Sequence, residues 1–354
     1  MTEYQAMGSQ LDALLSDVTD LHILACENSG RNPFKFPCAP IVNSLSDLYL
    51  PLAQAPAEFW TRVRSDGGDI RVYKQDGTQV ARQLVSFDSV AKTGSLFIKA
   101  NSGISFWIEY GNANLTEPAA GSTYGSASTW ETALPFVLHG DGLVDSTSAA
   151  RTATATAGIS VVTGKLSKAL ASAAETELVT IAHDAGLVVT NLTAMGWFYF
   201  DRLNTATATL ARKGGSSAPY GMAWAVHHDF WATPNDVVNS INANGYITTP
   251  AHAVITGAWY HLAYTQDSAS PGNGIIYVNG VSAATGTTEA LSNVPAQPLQ
   301  LFNRFWDKAQ ALLGKLCEFR WYNRLMGPTE IAEVYANQNA PESFWTVGAQ
   351  RLTR

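Results

Sequence analysis

The sequence predicts an all-β protein: two antiparallel β-sandwich domains preceded by one amphipathic helix. Three observations carry the prediction. Apolar and polar residues alternate with period two over long stretches, the pattern of strands with one buried face. Tight-turn dipeptides, Asp76-Gly77 and Asn279-Gly280, stand where neighbouring runs would fold back. Strand-like runs never alternate with the long helical patterns that a parallel sheet requires. The chain has 354 residues, more than one ordinary domain of ~100–200, so two cores are expected.

The helix comes first. Met7, Leu11, Leu14, Leu15, Val18 and Leu21 recur at helical spacing, and Thr2 with Gln5 forms a candidate capping box, which predicts a helix over 3–20. Its apolar face has two destinations open to it: its own domain, or another subunit docked through Leu11, Leu14, Leu15 and Val18. Glu3, Asp12, Asp17 and Asp20 stand there without Lys or Arg, so the basic region of a signal peptide is missing and none is expected.

The first sandwich follows. Ile70 and Val72 alternate with Arg71 and Tyr73, and Asp76-Gly77 turns the chain into Thr78-Gln79-Val80. Leu96, Ile98 and Ala100 form one face of a strand, and Ile104, Phe106, Ile108 and Tyr110 one face of another. The alternation stops at Gly111, and small residues at Gly121, Ser122, Gly125 and Ser126 punctuate the chain before Trp130. The expected organisation is a helical docking segment at 1–28, a small β-sandwich module at 29–125 and a second, larger sandwich at 126–354. In that larger part Trp197-Phe198-Tyr199-Phe200, Trp259 to Tyr264 and Gly274 to Val278 read as strands, the last ending in Asn279-Gly280. Gly327-Pro328-Thr329-Glu330 before Ile331, Val334 and Tyr335 predicts a short closing helix with Pro in its first turn.

Composition narrows the function classes. Charged residues make up 14% of the chain and hydrophobic ones 46%, which excludes disorder. The net charge of −7, with no basic block, disfavours nucleic acid and anionic membranes as partners. No apolar run reaches the ~20 residues that cross a bilayer, so a soluble chain is expected. Cys26, Cys38 and Cys317 are too few for a disulfide framework; Cys26 and Cys38 are left as one pair that could form, and Cys317, in phase with Phe319 and Trp321, is expected in the core.

The stretches Trp259-Tyr260-His261-Leu262-Ala263, Tyr277-Val278-Asn279-Gly280 and Gly314 to Arg324, with Asp145-Ser146 and Gly164-Lys165 to Leu170, resemble the laminin-G-like, concanavalin A-like lectin jelly roll over residues 131–347. The first half, with Glu58-Phe59-Trp60, Gly68 to Val72 and Trp107 to Asn112, resembles a small β-sandwich module of unknown function that precedes such jelly rolls in phage structural proteins and bacterial surface proteins. The resemblance implies glycan recognition and, in some members, calcium. Cys317 stands where the family usually has Asp, and calcium takes hard oxygen ligands, so no cofactor is expected and family calcium binding is in doubt. Asp141 and Asp145 are the remaining candidate ligands, with ordinary turn formation as the alternative role.

Catalytic patterns are sparse. The paired carboxylates of a retaining glycosidase strand are missing, Glu330 and Glu333 belong to the closing helix, and Gly121 to Gly125 has Thr where a nucleophile elbow has Ser. His227-His228-Asp229 lacks metal-site spacing, and His261 reads as a framework residue. No enzyme is expected. Sugars stack on aromatic faces beside a few polar groups, which singles out Trp224, His228, Trp231 and Asn235 in one cluster and Arg304, Trp306 and Asp307 in another; core packing is the competing role.

With the resemblance, these features imply a non-enzymatic phage virion structural protein of the tail or baseplate region. It would be made in the host cytoplasm, be homo-oligomeric, and contact other virion proteins and host-surface glycans. The alternatives are a capsid decoration protein, a free carbohydrate-binding surface adhesin, or a glycan-cleaving enzyme.

Overall fold

The computed structural model describes residues 2–41, 44–100, 105–203, 207–214, 222–227, 237–242, 245–267, 272–288, 291, 297–304 and 310–353. The chain divides into two units, residues 1–129 with 341–354, and residues 130–340.

In the first unit the helix spans Thr2–Asn28, longer than the sequence expectation of 3–20. Its last turns are tied down: Cys26 is buried, and the His22 ring nitrogen Nε2 lies 3.2 Å from the Pro33 carbonyl oxygen. Among the described residues the strands that follow are β1 (Phe34–Pro40), β2 (Asp47–Pro51), β3 (Arg71–Lys74), β4 (Gln79–Val80), β5 (Arg82–Asp88), β6 (Thr93–Lys99) and β7 (Phe106–Tyr110). Apolar alternation sets the register, with Phe106, Ile108 and Tyr110 buried and Trp107 and Glu109 half-buried. β1, β7, β3 and β4 form one sheet, and β2, β6 and β5 a second, all antiparallel. Phe59 wedges between them, its ring edge-on to Phe36 of β1 at 5.7 Å and to Phe87 of β5 at 6.5 Å. At the β3–β4 hairpin Gly77 has φ +86° and Asp76 accepts from the Thr78 N–H, as the dipeptide predicts.

The sequence placed residues 341–354 in the second domain, and the structure places them in the first. Trp345–Val347 and Arg351–Leu352 both pair with β1, and the buried Trp345 donates its indole N–H to the Tyr49 carbonyl. Segments of two and three residues are too short to show alternation, so only the paired strand reveals them. The second domain is therefore an insertion. Its boundary at Thr129/Trp130 lies four residues beyond the expected 125/126.

Among the described residues the inserted unit has fifteen strands. They are β8 (Phe136–Leu138), β9 (Ala153–Ala155), β10 (Ser160–Thr163), β11 (Lys168–Ser172), β12 (Val179–Ile181), β13 (Leu192–Arg202), β14 (Thr207–Lys213), β15 (Met222–His227), β16 (Val237–Asn242), β17 (Gly245–Thr248), β18 (Trp259–Gln266), β19 (Gly272–Val278), β20 (Val281–Thr288), β21 (Leu299–Leu301) and β22 (Leu313–Tyr322). One sheet has the order β10-β11-β22-β13-β18-β19-β20, with β8 also on β22, and the other β17-β16-β15-β14-β21-β12-β9. Their apolar faces enclose one core, in which Phe198 of the first sheet meets Trp224 of the second edge-on at 5.4 Å. The β19–β20 turn has Asn279 at φ +50° and Gly280 at φ +79°, the positive pair that a two-residue hairpin demands.

The closing helix Pro328–Asn339 begins as expected, Gly327 at its N-cap and Pro in the first turn. It packs on the back of the first sheet, where Trp197 donates its indole N–H to Gln338 and its ring lies 5.8 Å from Tyr335. Here the sequence phase of β22 fails. Cys317 packs with Ala169 and Trp197 on this back face, while Phe319 and Trp321 point into the main core. The pairing of β22 with β13 slips between Met195 and Trp197, and Glu318 has φ +54°: a bulge reverses the parity. All three cysteines are buried free thiols, so Cys26 and Cys38 are not bridged.

Candidate functional site

The second sheet of the inserted unit has one face in the core and one turned away from it. Ala153, Val179, Ile181, Leu299, Leu301 and Ala211 line the core, so the residues between them project oppositely. Registers join Thr154 to Thr180, Thr180 to Gln300, and Gln300 to Arg212, a row of two hydroxyls, an amide and a guanidinium across β9, β12, β21 and β14. Within it the Thr154 hydroxyl donates to the Thr180 carbonyl at 3.2 Å. Gln300 is fully buried on this side, Arg212 and Thr180 are half-buried and Thr154 is exposed. A bulge between Thr209 and Ala211 sends Leu210 and Ala211 inward together, leaving Thr207, Thr209 and Arg212 on the face of the row.

One end of this sheet is organised around Asn303. Thr207 is opposite His227, and Ala211 is opposite Leu301, so β15 and β21 both leave the sheet at the Thr207 end of β14. Immediately after β21, Phe302 sits at φ +70°, a conformation a bulky residue holds only when its surroundings enforce it. Asn303 supplies the enforcement. Its buried Oδ1 accepts from the Arg304 N–H at 2.9 Å and the Gln310 N–H at 3.1 Å, and its Nδ2 donates to the Glu175 carbonyl at 2.8 Å. The Gln310 carbonyl in turn accepts from the Thr209 N–H. One asparagine thus holds the N–H groups of Arg304 and Gln310 together beside β14.

The two aromatic-rich clusters singled out from the sequence are described only in part. Arg304 is half-buried, its N–H bonded to Asn303. His228, Trp231, Asn235, Trp306 and Asp307 lie outside the described residues. Trp224 is a core residue: it pairs with Ala211 on the buried side and is fully enclosed, so its ring is not a platform for a ligand. Strand parity decides this, since Trp224 falls on the core face of β15.

Asp145 is also differently employed. Its Oδ1 accepts from the N–H groups of Val137 and Thr147, and its Oδ2 from the Thr147 hydroxyl and the Arg151 N–H. Protein donors occupy both oxygens, tying β8 to the turn after it, while Asp141 is exposed. Among the described residues no group of three His, Cys, Asp or Glu side chains is arranged to hold a metal ion. The acid of β22, Glu318, is buried and lies 2.7 Å from the His139 Nδ1 and 3.6 Å from the Arg320 guanidinium, so an internal ion cluster employs it. Burial pushes the Cys317 thiol up to about 12, which keeps it protonated and chemically quiet. Burial also lowers the Lys213 ammonium to about 8, where it donates to the Gln297 carbonyl at 2.9 Å. Gln300, Thr180 and Arg212, which were not among the candidates from the sequence, carry the geometry of this face together with Asn303, which opens the second aromatic-rich cluster. Their signal was the Leu299-Gln300-Leu301 alternation and the Asn after a buried Phe.

Two facing antiparallel sheets with a helix on the back of one match the jelly-roll expectation. Residues 173–332 match the concanavalin A-like lectin/glucanases superfamily, in its third laminin-G-type family. These residues lie within the inserted unit, so the match belongs to that unit. Among solved structures, the chain is similar to domain 4 of an extracellular arabinanase from Geobacillus stearothermophilus, solved with arabinotriose. The identity is 21%, the TM-score 0.46, and the match covers 57% of this chain and 98% of that one. It is also similar to the binding domain of Paraclostridial Mosquitocidal Protein 1, at 15% identity and a TM-score of 0.43, covering 57% of this chain and 51% of that one. The binding domain of botulinum neurotoxin DC in complex with SialylT gives 12% identity and a TM-score of 0.46, covering 59% of this chain and 52% of that one. This chain spans about half the length of the latter two. No curated protein matches it.

Proposed function

We propose that the protein is a non-enzymatic structural component of a phage virion, of the tail or baseplate region, whose lectin-type domain holds a host-surface glycan. The observation that carries the glycan half is the row Thr154, Thr180, Gln300 and Arg212 on the outward face of a lectin-type sheet. The hydroxyls of Thr154 and Thr180 and the Arg212 guanidinium suit sugar hydroxyls, the enclosed Gln300 stands between them in the row, and the row contains no carboxylate to act as acid or base. The virion half is supported by the resemblance of the first unit to modules of phage structural proteins. It is supported also by the N-terminal helix, whose Leu11, Leu14, Leu15 and Val18 are exposed and offer a surface for assembly.

A glycan array probed with the full chain, followed by calorimetric titration of the strongest binder, tests the first half. Arg212→Ala is expected to weaken that binding about 3- to 10-fold, the worth of one or two hydrogen bonds, with an unchanged circular dichroism spectrum. An array with no binder, or an unchanged affinity in the variant, overturns the assignment of this face. Release of reducing sugar from the bound glycan would instead favour a glycan-cleaving enzyme. Mass spectrometry of purified particles tests the second half, and absence of the chain from them refutes it.

A further inference from the structure

The apolar stripe of the N-terminal helix has a stricter spacing than amphipathicity requires. Met7, Leu11, Leu14, Val18, Leu21 and Ala25 follow one another at intervals of four, three, four, three and four, the 3.5-residue repeat of a coiled-coil seam. All six are exposed, the five large ones between 54% and 66%. The opposite disposition holds for Cys26, buried, and for His22 and Ile23, half-buried, which turn a different side of the helix to the body of the unit. The body therefore grips the last turns of the helix and leaves the seam clear.

From this geometry we propose that the seam is filled by further copies of this chain, in a parallel bundle of at least three helices. This rests on, and sharpens, the assembly half of the function proposed above, and it is independent of the glycan half. Three observations select the occupant. A strict heptad is a pattern that a partner with the same repeat satisfies, and this chain supplies one. In a parallel register the g positions between Met7 and Ala25 are Gln10, Asp17 and Leu24 and the e positions Gly8, Leu15 and His22, so no like charges oppose one another along the flanks of the seam. The exposed side chains of Met7, Leu11, Leu14, Leu15, Val18, Leu21 and Leu24 amount to roughly 700 Å² of apolar surface per copy, close to the ~800 Å² per partner of a stable interface.

The number of strands follows from the flanks. A two-stranded seam covers positions a and d, and it would leave Leu15 at e and Leu24 at g, 57% and 54% exposed, in water. A third helix widens the buried face to include both. Closed rotational symmetry then gives every copy the same contacts and projects the lectin-type domains as a multivalent set.

Light scattering coupled to size exclusion on the full chain at tens of micromolar is the test. The expected mass is three or more times that of one chain, and Leu14→Asp with Leu21→Asp is expected to reduce it to one. Because both side chains are exposed, the doubly substituted chain should keep its near-ultraviolet spectrum and its affinity for whatever glycan the parent binds. Val18→Cys under mild oxidation adds the orientation: position a meets position a in a parallel bundle, and a crosslinked pair is expected. A monomeric or dimeric parent overturns the proposal, as does a parent mass that survives the double substitution, or an assembled chain in which Val18→Cys fails to crosslink. Loss of glycan binding with retained assembly would count against the glycan reading alone.

Discussion

Replacing His261 by Phe should flatten the acid limb of the lectin-type domain's stability. His261 is buried in β18, its ring 5.3 Å from Trp197 and 6.0 Å from Tyr335. Burial, with a smaller contribution from the positive Arg320, pushes its pKa down to about 3. In the unfolded chain an imidazole titrates near 6.5. Below that pH the unfolded chain takes up a proton that the folded chain refuses, so stability is complete above about 6.5 and is lost as the pH falls towards about 3. At about 1.4 kcal/mol per pH unit, two units of such linkage between pH 6.5 and pH 4.5 remove about 3 kcal/mol. Urea titrations at pH 7 and pH 4.5, followed by tryptophan fluorescence, measure this directly, since Trp197 lies against the ring. His261→Phe should lose about 3 kcal/mol less than the parent between the two pH values. Any packing cost of the phenyl ring is present at both and cancels. Equal acid losses in parent and variant would refute the reasoning, because the ring would then be open to protons in the folded state.

Two further outcomes are expected. Asn303→Ala removes the acceptor of the Arg304 and Gln310 N–H groups and the donor to Glu175, and should cost about 1–3 kcal/mol and speed proteolysis next to Arg304 and Gln310; a cleavage pattern identical to the parent's would show that these bonds do not hold the two residues in place. Deleting residues 341–354 takes Trp345 out of the first core and strips β1 of an edge partner. Scanning calorimetry should show one transition lowered or lost while that of the inserted domain persists, and two unchanged transitions would refute the assignment of these residues.

Much of the fold was readable in the residues because its causes are local. The Asp76-Gly77 and Asn279-Gly280 turns need positive φ within a dipeptide, and both have it. Phe106, Ile108 and Tyr110 declare a buried face by alternation alone, and Gly327-Pro328 announces a helix start. The failures have distant causes. The Cys317 side chain points away from Phe319 because of a bulge against Met195 and Trp197, more than a hundred residues earlier. The role of residues 345–352 depends on β1, some three hundred residues before them. The candidate site belongs to the same class. Thr180, Gln300 and Arg212 are unremarkable in sequence, and become neighbours only through the order β14-β21-β12, which no local pattern encodes. Trp224 misled for a related reason: an aromatic near polar residues suggests a sugar platform, but parity within the paired sheet places it inside.

The insertion also sets a timetable. Synthesis delivers β1 and β7 early, but the strand that closes the outer edge of β1 begins at Trp345. At 5–20 residues per second, the stretch from Tyr110 to Trp345 keeps that edge waiting for roughly 10–50 s on the ribosome. An unpaired edge is a template for any other emerging chain. The lectin-type domain, contiguous from Trp130 to Ala340, can complete its own pairing in that interval, so the part made in the middle is finished before the part made first.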